Sequence, residues 1–145
     1  MFRKKALLTI AVTLWASTAI GALRLISVND EIALGRQAQQ DVHRQVPELR
    51  DAAVSNYIAS LGRRIAARAD GPRYPYTFDV ANYREINAFA LPGGPVWIYR
   101  GAIDATQNES QLAGVLAHEI AHVANRHAAD QITKGTFANI GLSLL

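Results

Sequence analysis

His118-Glu119-Ile120-Ala121-His122 sets two imidazoles one helical turn apart, with a carboxylate directly after the first. Residues four apart on a helix share a face, so both rings can reach one divalent cation. Neutral imidazole is a good zinc ligand near neutral pH, and a catalytic zinc site takes three protein ligands and leaves a fourth position for water or substrate. Zinc lowers the pKa of the water it holds to about 7, and a neighbouring carboxylate can take that proton and return it to a leaving amine. The spacing therefore assigns His118 and His122 as metal ligands, Zn2+ as cofactor, and Glu119 as general base and then general acid. The competing reading is an amphipathic core helix with two surface histidines. It explains neither the shared face nor the small residues Gly114, Ala117 and Ala121 beside it.

The surrounding residues must build the helix that carries this pattern. Asn108-Glu109-Ser110-Gln111 reads as its start, with Asn108 as N-cap and Gln111 at the reciprocal capping position. Leu112, Val115, Leu116, Ile120 and Val123 then recur at helical spacing as the buried stripe, and the two histidines lie off it.

A third ligand is harder to find. His127 lies five residues beyond His122, and Asn125 stands where a glycine turn followed by a more distant histidine would be expected. In a continuing helix His127 projects nearly opposite His118, which favours a structural role or support behind a ligand. Asp130, the only acidic residue after the motif, is no better placed, and His43 reads as a surface or packing histidine. The chain closes on an apolar run containing Phe137, Ile140, Leu142, Leu144 and Leu145 with no capping residue. The expectation is an incomplete zinc peptidase whose third ligand lies in sequence beyond this chain.

Ahead of the helix, Ile86 to Leu91 reads as an apolar strand, Pro92-Gly93-Gly94-Pro95 as a turn and Val96 to Tyr99 as a second strand. The glycines supply positive φ there. Asn87, Ala88 and Phe89 are candidate substrate-binding residues, because an edge strand beside a metal can pair with an extended peptide backbone.

The stretch Ile86 to Gly101, with Leu116 to Val123 and then Arg126-His127, resembles the HtpX and CAAX-prenyl-protease family of zinc metallopeptidases, its periplasmic BepA-like members in particular. The resemblance covers roughly residues 29 to 140. It implies that His118 and His122 bind zinc and that Glu119 is catalytic. It also implies a third ligand, a glutamate on a later helix, that has no counterpart here. The activity it implies is endopeptidase cleavage of envelope or misfolded proteins.

Arg3, Lys4 and Lys5 precede an apolar run from Ala6 to Leu23, which reads as a secretory signal or an uncleaved anchor that exports the rest of the chain. The formal charge of +3 equals those three residues, so beyond the leader twelve basic residues balance twelve acidic ones and no nucleic-acid partner is implied. Arg63, Arg64 and Arg68 read as a solvated face, and the absence of cysteine excludes disulfides and thiolate metal sites.

Two helices are expected between leader and hairpin. One runs from about Glu31 to Val46, capped by Asn29 or Asp30 and broken by Pro47; the other runs from about Leu49 to Ala69. A strand from about Tyr76 to Ala81 can join the hairpin. The architecture expected is α+β and zincin-like, with residues 1–25 as leader and 26–145 as the N-terminal part of a metallopeptidase domain. The function expected is zinc-dependent hydrolysis of peptide bonds in a peptide or unfolded-protein substrate, in the periplasm or on the inner membrane facing it. The alternative is an inactive, membrane-tethered peptide-binding module lacking the third zinc ligand.

Overall fold

A computed structural model of the chain describes residues 25–135. The apolar C-terminal run and all of the expected leader except Leu25 lie outside the described residues. Helix α1 (Val28–Gln45) and helix α2 (Ala52–Ala66) are followed by strands β1 (Thr77–Ala81), β2 (Ala88–Ala90) and β3 (Pro95–Tyr99). Helices α3 (Arg100–Ala105), α4 (Glu109–Ala124) and α5 (His127–Thr133) complete the order. The architecture is α+β, as the sequence implied. Among the described residues, no helix is long and apolar enough to cross a membrane.

Helix α1 begins three residues ahead of its expected start. Ser27 is the N-cap: its hydroxyl accepts from the Asp30 amide at 3.1 Å, and the Asp30 carboxylate accepts from the Ser27 amide at 2.9 Å. This reciprocal box satisfies two orphan donors where a cap at Asn29 or Asp30 would satisfy one. The Ser27 hydroxyl and amide also hold the Asp30 carboxyl below its ordinary value. Helix α2 starts later than expected, at Ala52, because the sheet claims the preceding residues. The Leu49 amide donates to the Val80 carbonyl at 2.9 Å, Glu48 bridges to Ala81, and the Asp51 carboxylate caps the Ala53 and Val54 amides.

The strands lie in the order β1-β3-β2, with β3 parallel to β1 and antiparallel to β2. All five residues of the central strand are buried, and their alternation serves two layers. Val96 and Ile98 meet Ile58 and Leu61 of α2 and Leu112, Leu116 and Ile120 of α4 on one face. Trp97 and Tyr99 meet Val46, Leu91 and the α1 residues Ala38 and Val42 on the other. The expected turn closes the hairpin, with Gly93 at φ 74° and Gly94 at φ 127°, both in the region that favours glycine. Helix α1 crosses this turn so closely that a Cβ at Gly35 would sit 1.8 Å from the Pro92 carbonyl oxygen.

One ionic contact ties α1 to the far end of α4. Glu31 is 1% exposed. Its carboxylate accepts from Arg126 Nε at 2.9 Å and from the Tyr74 hydroxyl, while Arg126 Nη2 donates to the Ile26 carbonyl at 2.8 Å. Burial, and then the bond to Glu31, push the Tyr74 hydroxyl far above its ordinary value, so it is a donor at neutral pH.

Candidate metal centre

Helix α4 begins where its sequence says it should. Asn108 Oδ1 accepts from the Gln111 amide at 3.0 Å. The Gln111 side chain reaches one residue further than expected and accepts from the Gln107 amide at 2.8 Å. Leu112, Leu116, Ile120 and Val123 are buried, which anchors the apolar face on the sheet and α2. The opposite face carries His118 and His122, both exposed, with open space around Gly114.

The two rings turn the same nitrogen toward each other. His118 Nε2 and His122 Nε2 are 3.1 Å apart, with the rings inclined at 83°. Two imidazole nitrogens bound tetrahedrally to one zinc at about 2.0–2.1 Å are separated by about 3.3 Å, so this pair fits a shared cation. Partial desolvation of the ring, followed by the neighbouring His118 and His127, lowers the pKa of His122, which favours the neutral form that a metal requires. Glu119 is half-buried, and that burial raises its carboxyl above the ordinary value against an opposing pull from His118. A carboxylate shifted upward is a better proton acceptor at neutral pH.

His127 does not follow the expected geometry, because the helix does not continue to it. Helix α4 ends at the C-cap Asn125, Arg126 takes the left-handed conformation at φ 59°, ψ 37°, and α5 starts at His127. The turn swings His127 back so that its Nδ1 lies 2.6 Å from His122 Nδ1. That is the nitrogen of His122 facing away from His118, so His127 stands behind the His122 ring and outside the Nε2 pair. Among the described residues, no third histidine, cysteine, aspartate or glutamate completes a metal-holding group. His43 packs its ring edge on Trp97 with centroids 5.0 Å apart and pairs with Glu48, in keeping with a packing role.

A cleft of about 590 Å³ runs along the outer edge of β2. His118, Glu119, His122 and His127 line one wall, Asp41 and Val42 of α1 line the other, and Ala88 and Phe89 lie between them. Asn87 is not among the lining residues. Its carbonyl accepts from the Tyr99 amide at 2.9 Å, extending the hairpin pairing, and its side chain partly offsets the rise that burial imposes on the Tyr99 hydroxyl. Sequence reasoning missed two features of the site, the α1 wall and the Glu31–Arg126 pair. The adjacent Arg126-His127 was the one local signal of the second; nothing near Glu31 announced it.

Residues 52–145 match the family model described as Peptidase family M48. The chain belongs to peptidase family M48. The beta-barrel assembly-enhancing protease of Yersinia pestis is 40% identical over 112 residues, which cover 77% of this chain and 23% of that protein. The protein of the same name from Escherichia coli K12 is 38% identical over 104 residues, covering 72% of this chain and 21% of its own length. The mitochondrial metalloendopeptidase OMA1 of Schizosaccharomyces pombe is 37% identical over 76 residues, covering 52% of this chain and 23% of that protein. The chain thus spans less than a quarter of the length of these M48 relatives. Metallopeptidase membership accords with the resemblance read from the hairpin and the histidine helix together.

Proposed function

We propose that this chain carries the catalytic half-site of a zinc-dependent endopeptidase acting on extended peptide or unfolded-protein segments. The observation that carries the proposal is the pair of Nε2 atoms 3.1 Å apart on the wall of a cleft that also holds Glu119 and the outer edge of β2. His118 and His122 would hold the ion. Once bound, zinc supplies Lewis acidity, which polarises a carbonyl and makes a water acidic enough to ionise near neutral pH. Glu119 takes the proton from the attacking water and delivers it to the leaving amine, a task its raised pKa suits. Among the described residues Ala88–Ala90 has one strand neighbour, so its other edge can pair with a substrate backbone, while Phe89 and Val42 offer apolar contact. Backbone pairing gives affinity with little sequence preference, as unfolded substrates require.

The basic residues and apolar run ahead of Leu25 support export to the periplasm or retention on the inner membrane facing it. Similarity to proteases named for enhancing β-barrel assembly supports envelope proteins as substrates. One experiment separates metal binding from chemistry. Zinc affinity is measured on the purified full chain by competition with a chromophoric chelator, and cleavage with a quenched fluorescent unfolded peptide. Glu119→Gln should keep zinc and lose cleavage, whereas His118→Ala should lose both; proteolysis surviving in the Gln variant would remove Glu119 from the mechanism.

Among the described residues the donor set is two histidines, which leaves a second reading, a module that grips peptides in the same cleft without cutting them. Saturable peptide binding with no cleavage by the zinc-loaded chain would favour it over the enzyme.

A further inference from the structure

Arg126 is the single non-glycine residue with positive φ among the described residues, and it occupies the position just past a helix C-cap where glycine is the usual choice. An arginine there is strained, so something in the tertiary structure must hold it. Its guanidinium supplies the reason. Nε reaches the buried Glu31 carboxylate at 2.9 Å, Nη2 reaches the Ile26 carbonyl at 2.8 Å, and 14% of the side chain remains exposed. The next residue is His127, whose Nδ1 meets His122 Nδ1.

We propose that Arg126, clamped by Glu31, is a positioning residue for the metal ligand His122. The clamp fixes the left-handed corner between α4 and α5, and the corner aims His127 at the back of the His122 ring. For His122 to offer its Nε2 lone pair, its proton must sit on Nδ1, and His127 Nδ1 accepts that hydrogen bond. The contact selects one tautomer and one ring orientation, as partners behind metal-bound histidines do. A pair formed across 95 residues of chain thus sets the geometry of a ligand that neither of its members touches. This inference takes from the proposed function the assignment of His118 and His122 as ligands.

The test uses the full chain, Arg126→Gly, His127→Ala and the double variant. Glycine suits the left-handed backbone, so Arg126→Gly removes the guanidinium while easing the strain; Arg126→Lys serves as a second variant, keeping the charge without the two-pronged contact. Zinc affinity is read by chelator competition on samples shown to be folded by circular dichroism. Each single variant should lose roughly 10- to 100-fold in affinity, and the double variant should lose no more than the weaker-binding single one, because both act through one contact. Wild-type affinity in Arg126→Gly or Arg126→Lys, or losses that multiply in the double variant, would overturn the proposal. A second readout needs no metal. Imidazole ¹⁵N spectra of the metal-free chain should show His122 protonated on Nδ1 in the wild type and a mixture of tautomers in Arg126→Gly, and unchanged spectra would overturn it equally. A wild-type chain that binds no zinc sinks the metal assignment itself, while the tautomer shift still decides whether Arg126 positions His122.

Discussion

The two ends of α4 are built by opposite means. At the amino end, Asn108 and Gln111 close the helix with bonds spanning three and four residues, in full contact with solvent. The longer-range partners there, Arg64 and Tyr57 on Glu109, are exposed, and an ion pair in water adds little. At the carboxyl end, a strained arginine just past the C-cap is paired with a buried glutamate from α1. One end is closed by local bonds and the other carries a long-range pair, and His118 and His122, the proposed ligands, lie toward the second. On the proposed positioning role of Arg126, the site would take its geometry from a contact that only the folded chain can make.

The sharpest way to break this contrast is to remove the buried carboxylate. Glu31→Ala leaves the Arg126 guanidinium nearly buried with no anion and takes the acceptor from Tyr74. Truncating one partner of a buried pair costs about 3–5 kcal/mol. Denaturant unfolding should register a loss in that range. A loss below about 1 kcal/mol would place the pair in the class of exposed ion pairs and erase the difference between the two ends.

The same contrast explains what could be read in advance. Asn108, the apolar stripe from Leu112 to Val123 and the shared face of His118 and His122 all follow from spacing within one element, and each appears where expected. The Pro92–Pro95 turn is equally local, since two adjacent glycines signal positive φ. What could not be read depends on partners far away in sequence. Leu49 looks like the start of a helix until Val80 takes its amide. The order β1-β3-β2 places the last strand in the centre, and no periodicity within a strand reveals its neighbours. Helix α3 spans six residues with no side-chain cap, too short to leave a pattern. His127 has the supporting place that the sequence favoured, but its direction differs from that of a continuing helix, because Asn125 caps α4 and Arg126 turns the chain through the left-handed region.

A smaller effect is expected at the local end. Asn108→Ala removes the acceptor for the Gln111 amide and should cost about 1 kcal/mol, the usual worth of an N-cap. Urea unfolding measures it, and zinc affinity should stay unchanged, because the cap lies more than two turns from His118. A fall in affinity as large as that expected for Arg126→Gly would mean that fraying at either end disturbs the ligands alike.

The smallest effect tests whether distance in sequence or burial makes the carboxyl-terminal contact strong. Asp79 on β1 accepts from Gln39 of α1 at 3.2 Å, another polar contact between distant elements, but only part-buried. Burial raises its carboxyl above the ordinary value, against the opposing pulls of His43 and the Gln39 bond. A carboxyl whose folded pKa is raised binds its proton more tightly in the native state. Its contribution is therefore most favourable below the ordinary carboxylate value and is lost as pH rises through the raised one. At pH 7 the charge on Asp79 opposes folding, so Asp79→Asn, which keeps an acceptor for Gln39, should be at least as stable as the wild type. That advantage should shrink as the pH is lowered through the raised value toward the ordinary one, because the wild-type carboxyl then becomes neutral too. Thermal melts across pH 3 to 7 would show it. An Asn variant clearly less stable at pH 7 would make long-range contacts of this fold strong whatever their burial, and the special standing of the Glu31–Arg126 clamp would be lost.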